Sequence, residues 1–144
     1  MKIYFDLEQN PKGTAQQKGV SYQGGRIHHY EKKEVRELRG LYHHKIFKYL
    51  YTNKIAAPKY EGPVSLLVIF NFAIKDKKKW GQPKTSVPDV DNLVKLLIDS
   101  MSDLLFWSND SQISRLEVRK FYAEKPSIYI EVEPYNVTRE DEPT

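Results

Sequence analysis

Hydrophobic and polar residues alternate at the start of the chain. Ile3, Phe5 and Leu7 share one side of Lys2 to Leu7, the period of a half-buried strand. From Asn10 to Gly25 the pattern lapses into a polar stretch holding Gly13, Gly19, Gly24 and Gly25, which predicts a long loop or flap. Loops of that length in small domains are usually functional or disordered, and Lys12, Lys18 and Arg26 would suit nucleic-acid contact. A helical period runs from Glu34 to about Asn53: Val35, Leu38, Leu41, Tyr42, Ile46, Tyr49 and Leu50 form one stripe, while Glu34, Arg36, Glu37, Arg39 and Lys48 face elsewhere. Gly40 weakens this helix by ~1 kcal/mol relative to alanine. Pro58, Gly62 and Pro63 then break the chain, and Val64 to Ile74 is apolar on both faces, as in a central strand. A second helix is predicted from Asp89 or Val90 to Asp103, with Leu93, Val94, Leu97, Met101 and Leu104 as its apolar stripe. Ile113 to Ala123 and Ser127 to Glu133 read as strands joined by a turn at Glu124-Lys125-Pro126.

The predicted order is β-α-β-α-β-β. It implies an α+β (α/β-like) fold, a single domain with a mixed sheet and packed helices. At 144 residues the chain is one domain by length, assigned to residues 1–134, with a polar, acidic tail at 135–144. No apolar run approaches the ~20 residues of a membrane helix, and the first residues are too short and too acidic for a signal peptide. The chain has no cysteine, which removes disulfides, thiolate catalysis and cysteine-bound zinc and fits a reducing, cytoplasmic setting.

The net charge of +4 is a mild bias toward polyanions, and its distribution is more telling than its size. Between Lys75 and Lys84 stand five lysines (Lys75, Lys77, Lys78, Lys79 and Lys84) against one aspartate. Such a run is either a solvated loop or a grip on phosphates, which would give affinity independent of base sequence. It leads directly into Pro88-Asp89-Val90-Asp91-Asn92-Leu93-Val94-Lys95, with Asp99 a further turn on and Asn109-Asp110-Ser111-Gln112 later. Asp91, Lys95 and Asp99 are spaced by four and so stack on one helix side. Taken singly, these groups have ordinary explanations: Asp89 as a helix cap, Asp91 as a first-turn acid, Asp91 with Lys95 as a surface pair, Asp110 as a turn residue. Taken together, clustered carboxylates beside a lysine tract suit a hard divalent cation and an anionic substrate, since Mg²⁺ takes one or two carboxylates plus substrate phosphates. Phe106 and Trp107 would anchor the returning turn through buried apolar area.

The run Pro88-Asp89-Val90-Asp91-Asn92-Leu93-x-Lys95-x-x-x-Asp99, with Phe106-Trp107-Ser108-Asn109-Asp110-Ser111-Gln112-Ile113 after it, resembles the RusA family of Holliday junction resolvases. The match is specific over residues 88–113. Beyond them it rests on chain length, the stretch Ala15-Gln16-Gln17-Lys18-Gly19 and the basic run before the motif. The resemblance implies a homodimeric, Mg²⁺-dependent endodeoxyribonuclease, of bacteria or their phages, that places paired symmetric nicks in four-way DNA junctions during recombination and repair. It puts catalysis on Asp89, Asp91, Lys95 and Asp110. Asp89, Asp91 and Asp110 would hold one or two Mg²⁺ per subunit, while Lys95 would meet a phosphoryl or leaving oxygen. Asn109 departs from the family, many of whose members carry an acid there. Asp99 matches a common family acid and is expected to support Lys95 or the helix surface.

Two other readings follow from the same residues: an Mg²⁺-dependent nuclease for flaps or single strands, and a non-catalytic nucleic-acid binding module using the basic loop and the ten tyrosines. His28-His29 and His43-His44 are adjacent pairs and do not share a face, so neither makes a metal clip. No glycine-rich phosphate loop is present, so no nucleotide cofactor is expected.

Overall fold

A computed structural model describes residues 1–14 and 18–143. The elements are β1 (Lys2–Asp6), β2 (Lys18–Gln23), β3 (Arg26–Glu31), α1 (Lys33–Thr52), β4 (Val64–Ala73), α2 (Val90–Asp103), β5 (Ile113–Ala123) and β6 (Ser127–Pro134). Strands β1, β6, β4 and β5 form one mixed sheet in that spatial order. Strand β6 runs antiparallel to both β1 and β4, whereas β4 and β5 are parallel.

The α+β architecture expected from periodicity is the one observed, with one addition. The stretch expected as a loop, Asn10 to Gly25, contains β2, which pairs with β3 as a separate hairpin. Its turn is Gly24-Gly25, with φ +57° and +74°, the left-handed pair that a two-residue hairpin turn requires. Glycine content, read as a sign of a loop, marks the tip of a hairpin. Ala15, Gln16 and Gln17, part of the looser family resemblance, lie outside the described residues.

The sheet has one face buried under the helices. Across it, register sets Ile3 beside Ile130, Ile130 beside Val68 and Val68 beside Val118. The next row is Phe5, Ile128, Phe70 and then Lys120, an apolar row ending in a lysine on the edge strand. Helix α1 buries Val35, Tyr42, Ile46 and Leu50, and α2 buries Leu93, Val94, Leu96, Leu97, Ser100 and Met101. Ser100 is tolerated there because its hydroxyl donates to the Leu96 carbonyl at 2.9 Å, which satisfies it within the helix. On the opposite face Leu67 and Ile69 of β4 are half-buried among Glu117, Glu131, Arg119 and Tyr129, where long side chains cover apolar surface with their stems.

The return from α2 to β5 is held by buried aromatics and one amide. Phe106 and Trp107 are fully enclosed, as their expected anchoring role requires. The Trp107 indole donates to Ser102 Oγ at 2.6 Å, and Tyr60 N–H donates to the Phe106 carbonyl at 2.9 Å. The Gln112 side chain then ties four points together. Its Oε1 accepts from the Ser108 and Asn109 amides at 2.9 and 3.1 Å, and its Nε2 donates to the Tyr60 and Gly62 carbonyls at 2.8 and 3.1 Å. Asn109 Oδ1 accepts from Ser111 N–H at 2.9 Å, closing a capped turn over Asp110–Gln112. Beyond β6 the polar tail keeps defined contacts. Tyr135 N–H donates to the Pro63 carbonyl at 2.8 Å, and Arg139–Asp141 form a single capped turn.

Two stability outcomes are expected. Gln112→Ala removes four hydrogen bonds from a partly exposed turn and should lower the unfolding free energy by about 2 kcal/mol in urea titration; Gln112→Glu, which sets a carboxylate oxygen against the Tyr60 and Gly62 carbonyls, should not restore it. The Tyr42 hydroxyl is buried, has no partner among the described residues, and is pushed above the ordinary phenol pKa by that burial. Tyr42→Phe should therefore raise stability by about 1 kcal/mol in the same titration.

Candidate active site

Parallel strands β4 and β5 must be joined by a crossover, and this crossover carries the predicted chemistry. It leaves β4 through Lys75 to Lys79. Asp76 caps a short turn by accepting from Lys78 N–H at 3.1 Å, and Trp80 donates its indole N–H to the Ile74 carbonyl at 2.8 Å. Lys75, Lys77, Lys78 and Lys79 are exposed, with Lys77 Nζ 5.9 Å from the Trp80 ring. The chain reverses at Gly81, whose φ of +85° suits glycine. It then runs beside the end of β5: Gly81 N–H donates to the Tyr122 carbonyl (2.8 Å), Tyr122 N–H to that of Gln82 (3.0 Å) and Lys84 N–H to that of Lys120 (3.0 Å).

Lys84 differs from the other four lysines. Its ammonium lies 5.1 Å from the Phe72 ring centre and 5.2 Å from that of Tyr122, and it donates to Ser86 Oγ at 2.7 Å. It is committed within the protein. Lys120 Nζ donates to the Ser86 and Pro88 carbonyls at 2.6 and 2.7 Å.

Asp89 is the residue that starts α2. Its backbone is extended (φ −74°, ψ 150°) and its carbonyl accepts from Leu93 N–H at 3.1 Å, yet its exposed side chain makes no capping hydrogen bond. The capping explanation for this carboxylate therefore has no hydrogen bond behind it. Asp91 and Lys95 are also exposed, and no ion pair joins them among the described residues, so the surface-pair explanation falls as well.

Between α2 and β5 lies an open cleft of about 430 Å³, lined by Val90, Asp91, Val94, Lys95, Ile98, Asp99, Asp110, Leu116 and Val118. Its floor is apolar and its rim ionic. Asp99 and Asp110 also border a polar recess of about 290 Å³ with Arg39, Ser102, Asp103, Ser108 and Asn109. Among the described residues, no hydrogen bond or ion pair engages the side chains of Asp91, Lys95, Asp99 or Asp110. Asp99 is thus not paired with Lys95, the first of its two expected roles. Neighbouring charges are committed: Asp103 accepts from His43 Nε2 at 2.9 Å and lies 3.7 Å from Arg39. That contact engages one histidine of the His43-His44 pair in a hydrogen bond with a carboxylate.

The structure brings Asp91, Lys95 and Asp110 to one cleft and leaves Asp89 just outside its lining. It does not bring Asp89, Asp91 and Asp110 into one tight cluster: among the described residues no three acidic or histidine side chains converge closely enough to hold an ion. The topology explains this. Pro88 is tied to Lys120 near the end of β5, whereas Asp110 stands just before that strand begins, so the acids approach the cleft from its two ends. The donors are hard oxygens, and Mg²⁺ asks the protein for only one or two carboxylates beside waters and phosphate oxygens. By donor chemistry the cleft fits that ion, although it forms no closed cage.

Sequence reasoning missed Gln112 as the holder of Asp110, and missed Ser86 and Lys120 altogether. Lys120 carried a signal: it occupies the position after Leu116 and Val118 on the alternating inner face of β5, where an apolar residue is due.

Residues 8–133 match the family described as endodeoxyribonuclease RusA. The chain is 42% identical over 132 residues to the crossover junction endodeoxyribonuclease rusA of Lactococcus phage r1t, covering 89% of this chain and 93% of that protein. A shorter match, 44% over 46 residues and 32% of each chain, is to the uncharacterized protein YqaN of Bacillus subtilis (strain 168). Among the described residues no helix is long and apolar enough to cross a membrane. By the extent of these matches, the chain belongs to the RusA family of endodeoxyribonucleases.

Proposed function

We infer that this endodeoxyribonuclease resolves four-way DNA junctions by paired, symmetric nicks, with Mg²⁺ in the cleft between α2 and β5. The observation that carries the reading is that cleft: Asp91, Lys95, Asp99 and Asp110 line it, and none is engaged by another side chain among the described residues. The choice of a branched substrate rests on the phage relative, named for cleavage at crossover junctions.

Asp91 and Asp110, with Asp89 beside the helix start, are the carboxylates that would hold the ion. Bound Mg²⁺ supplies Lewis acidity at a phosphoryl oxygen and makes water a stronger nucleophile. Lys95, one turn beyond Asp91, sets a positive charge on the cleft wall, where it would stabilise oxygen charge that grows during displacement. Leu116 and Val118 supply apolar surface to the cleft lining. Lys75, Lys77, Lys78 and Lys79 stand exposed on the crossover ahead of α2 and would bind the DNA backbone without reading bases. A junction has near two-fold symmetry, so a C₂ homodimer with one cleft per subunit would deliver two opposed nicks.

Asp91→Asn should keep fold and junction affinity and lose cleavage by about 10²-fold or more. Lys95→Ala should lose turnover by a similar factor with little change in binding. Both are measured on a labelled four-way junction with and without Mg²⁺, against duplex, flap and single-stranded controls. Preferential cutting of flaps or single strands would replace the junction reading, and binding without any cutting would replace the enzyme. Neutralising Lys77, Lys78 and Lys79 together should lower affinity for junctions of every sequence and reduce the log–log salt slope by about 3. A slope equal to wild type would remove that turn from the DNA contact.

A further inference from the structure

We propose that Lys120 is a positioning residue that braces the acidic head of α2 against the sheet; the proposal deepens the nuclease reading and rests on it. Lys120 ends an otherwise apolar row on the helix-covered face, beside Phe70. A lysine carries three donors on one small, rotatable atom, and two of them go to the carbonyls of Ser86 and Pro88 at 2.6 and 2.7 Å. The same residue's carbonyl accepts from Lys84 N–H at 3.0 Å. Lys120 therefore ties the loop to β5 through both backbone and side chain, one residue before Asp89 and three before Asp91.

Two neighbours reinforce the brace. Lys84 Nζ holds Ser86 Oγ at 2.7 Å from above the Phe72 and Tyr122 rings. The Tyr122 hydroxyl is held below its ordinary pKa, chiefly by its hydrogen bond with Ser86 and also by the nearby Lys84 and Lys79 charges. Gly13 also lies so close to Pro88 that an added Cβ would stand 2.8 Å from the proline Cβ. Beyond it, Thr14 N–H donates to the Asn92 carbonyl at 3.1 Å. The segment that delivers Asp89 and Asp91 is thus held both by Lys120 and by contacts with Gly13 and Thr14. With its ammonium turned to two carbonyls, Lys120 acts on the carboxylates through the backbone that carries them.

The test compares wild type, Lys120→Met, which keeps most of the stem and loses the donors, and Lys120→Arg, which keeps charge and donors. Single-turnover cleavage of a four-way junction in Mg²⁺ should fall about 10²-fold in Lys120→Met, the scale of a small misplacement of reacting groups. Junction affinity and its salt slope should hold, and Lys120→Arg should recover part of the rate. Hydrogen exchange should accelerate at the Lys84, Thr14 and Leu93 amides and stay unchanged within β4 and β6. Unchanged exchange at those three amides overturns the brace whatever the cleavage rate does. So does a lost affinity with a flattened salt slope and an unaltered rate, which would make Lys120 a DNA contact. If wild type fails to cut the junction, the substrate reading fails, and the exchange experiment still decides the brace.

Discussion

The parallel pairing of β4 with β5 is the constraint on which the site depends. Two parallel neighbours cannot be joined by a hairpin, because the chain must travel back along the sheet before the second strand begins. Here the return path spans residues 74–112 and contains the basic turn, the acidic helix head, Lys95 and Asp110. Helix α2 is that return path, and it lies on the sheet because Leu93, Val94, Leu96, Leu97 and Met101 are buried there. One topological requirement thus assembles cations, carboxylates and an apolar floor in consecutive sequence, with no contribution from β1 or α1 to the cleft lining.

The distribution of committed and uncommitted charge separates the site from the rest of the surface. Glu8 pairs with Lys45 at 2.6 Å and is held below its ordinary pKa mainly by that hydrogen bond. Arg119 and Glu117 are paired, and Asp103 is shared by His43 and Arg39. These contacts are exposed or half-exposed and contribute little each. Along the cleft the pattern inverts: Asp91 and Lys95, at the spacing that would favour an i,i+4 pair, remain apart, as do Lys95 and Asp99. These side chains line an open cleft beside Leu116 and Val118, where a bound cation and a phosphate would meet charges not already paired within the protein.

Much of the fold was readable from periodicity because the buried positions are periodic. Both helices, β4, β5 and β6 stand within a residue or so of their expected bounds, since the helices and β6 show an apolar face of the right period and β4 is an apolar run on both faces. The hairpin of β2 and β3 was not read, because Gly24 and Gly25 serve a turn and not a loop. The acids and Lys95 were visible as charge placed where a helix begins. Their separation was not, because it depends on where α2 is pinned along β5, and the pin is a contact 32 residues apart in sequence between Lys120 and Pro88. Gln112 was visible as part of a motif, but its four hydrogen bonds reach back to Tyr60 and Gly62, which no local pattern encodes.

The edge position of β5 decides how the cleft meets a large substrate. A strand inside the sheet would have neighbours on both sides; β5 has β4 on one side only. Toward its end the other side is covered by residues 81–84, through the Tyr122 and Lys120 hydrogen bonds, which protects part of an otherwise open edge. The earlier part, from Ser114 to Leu116, stays exposed. The cleft wall is therefore rigid where the acidic helix head is attached and open where Asp110 enters. A duplex arm is far wider than a closed pocket would admit, so a site for its backbone has to lie at such an open margin, with the positioning contacts confined to the covered end.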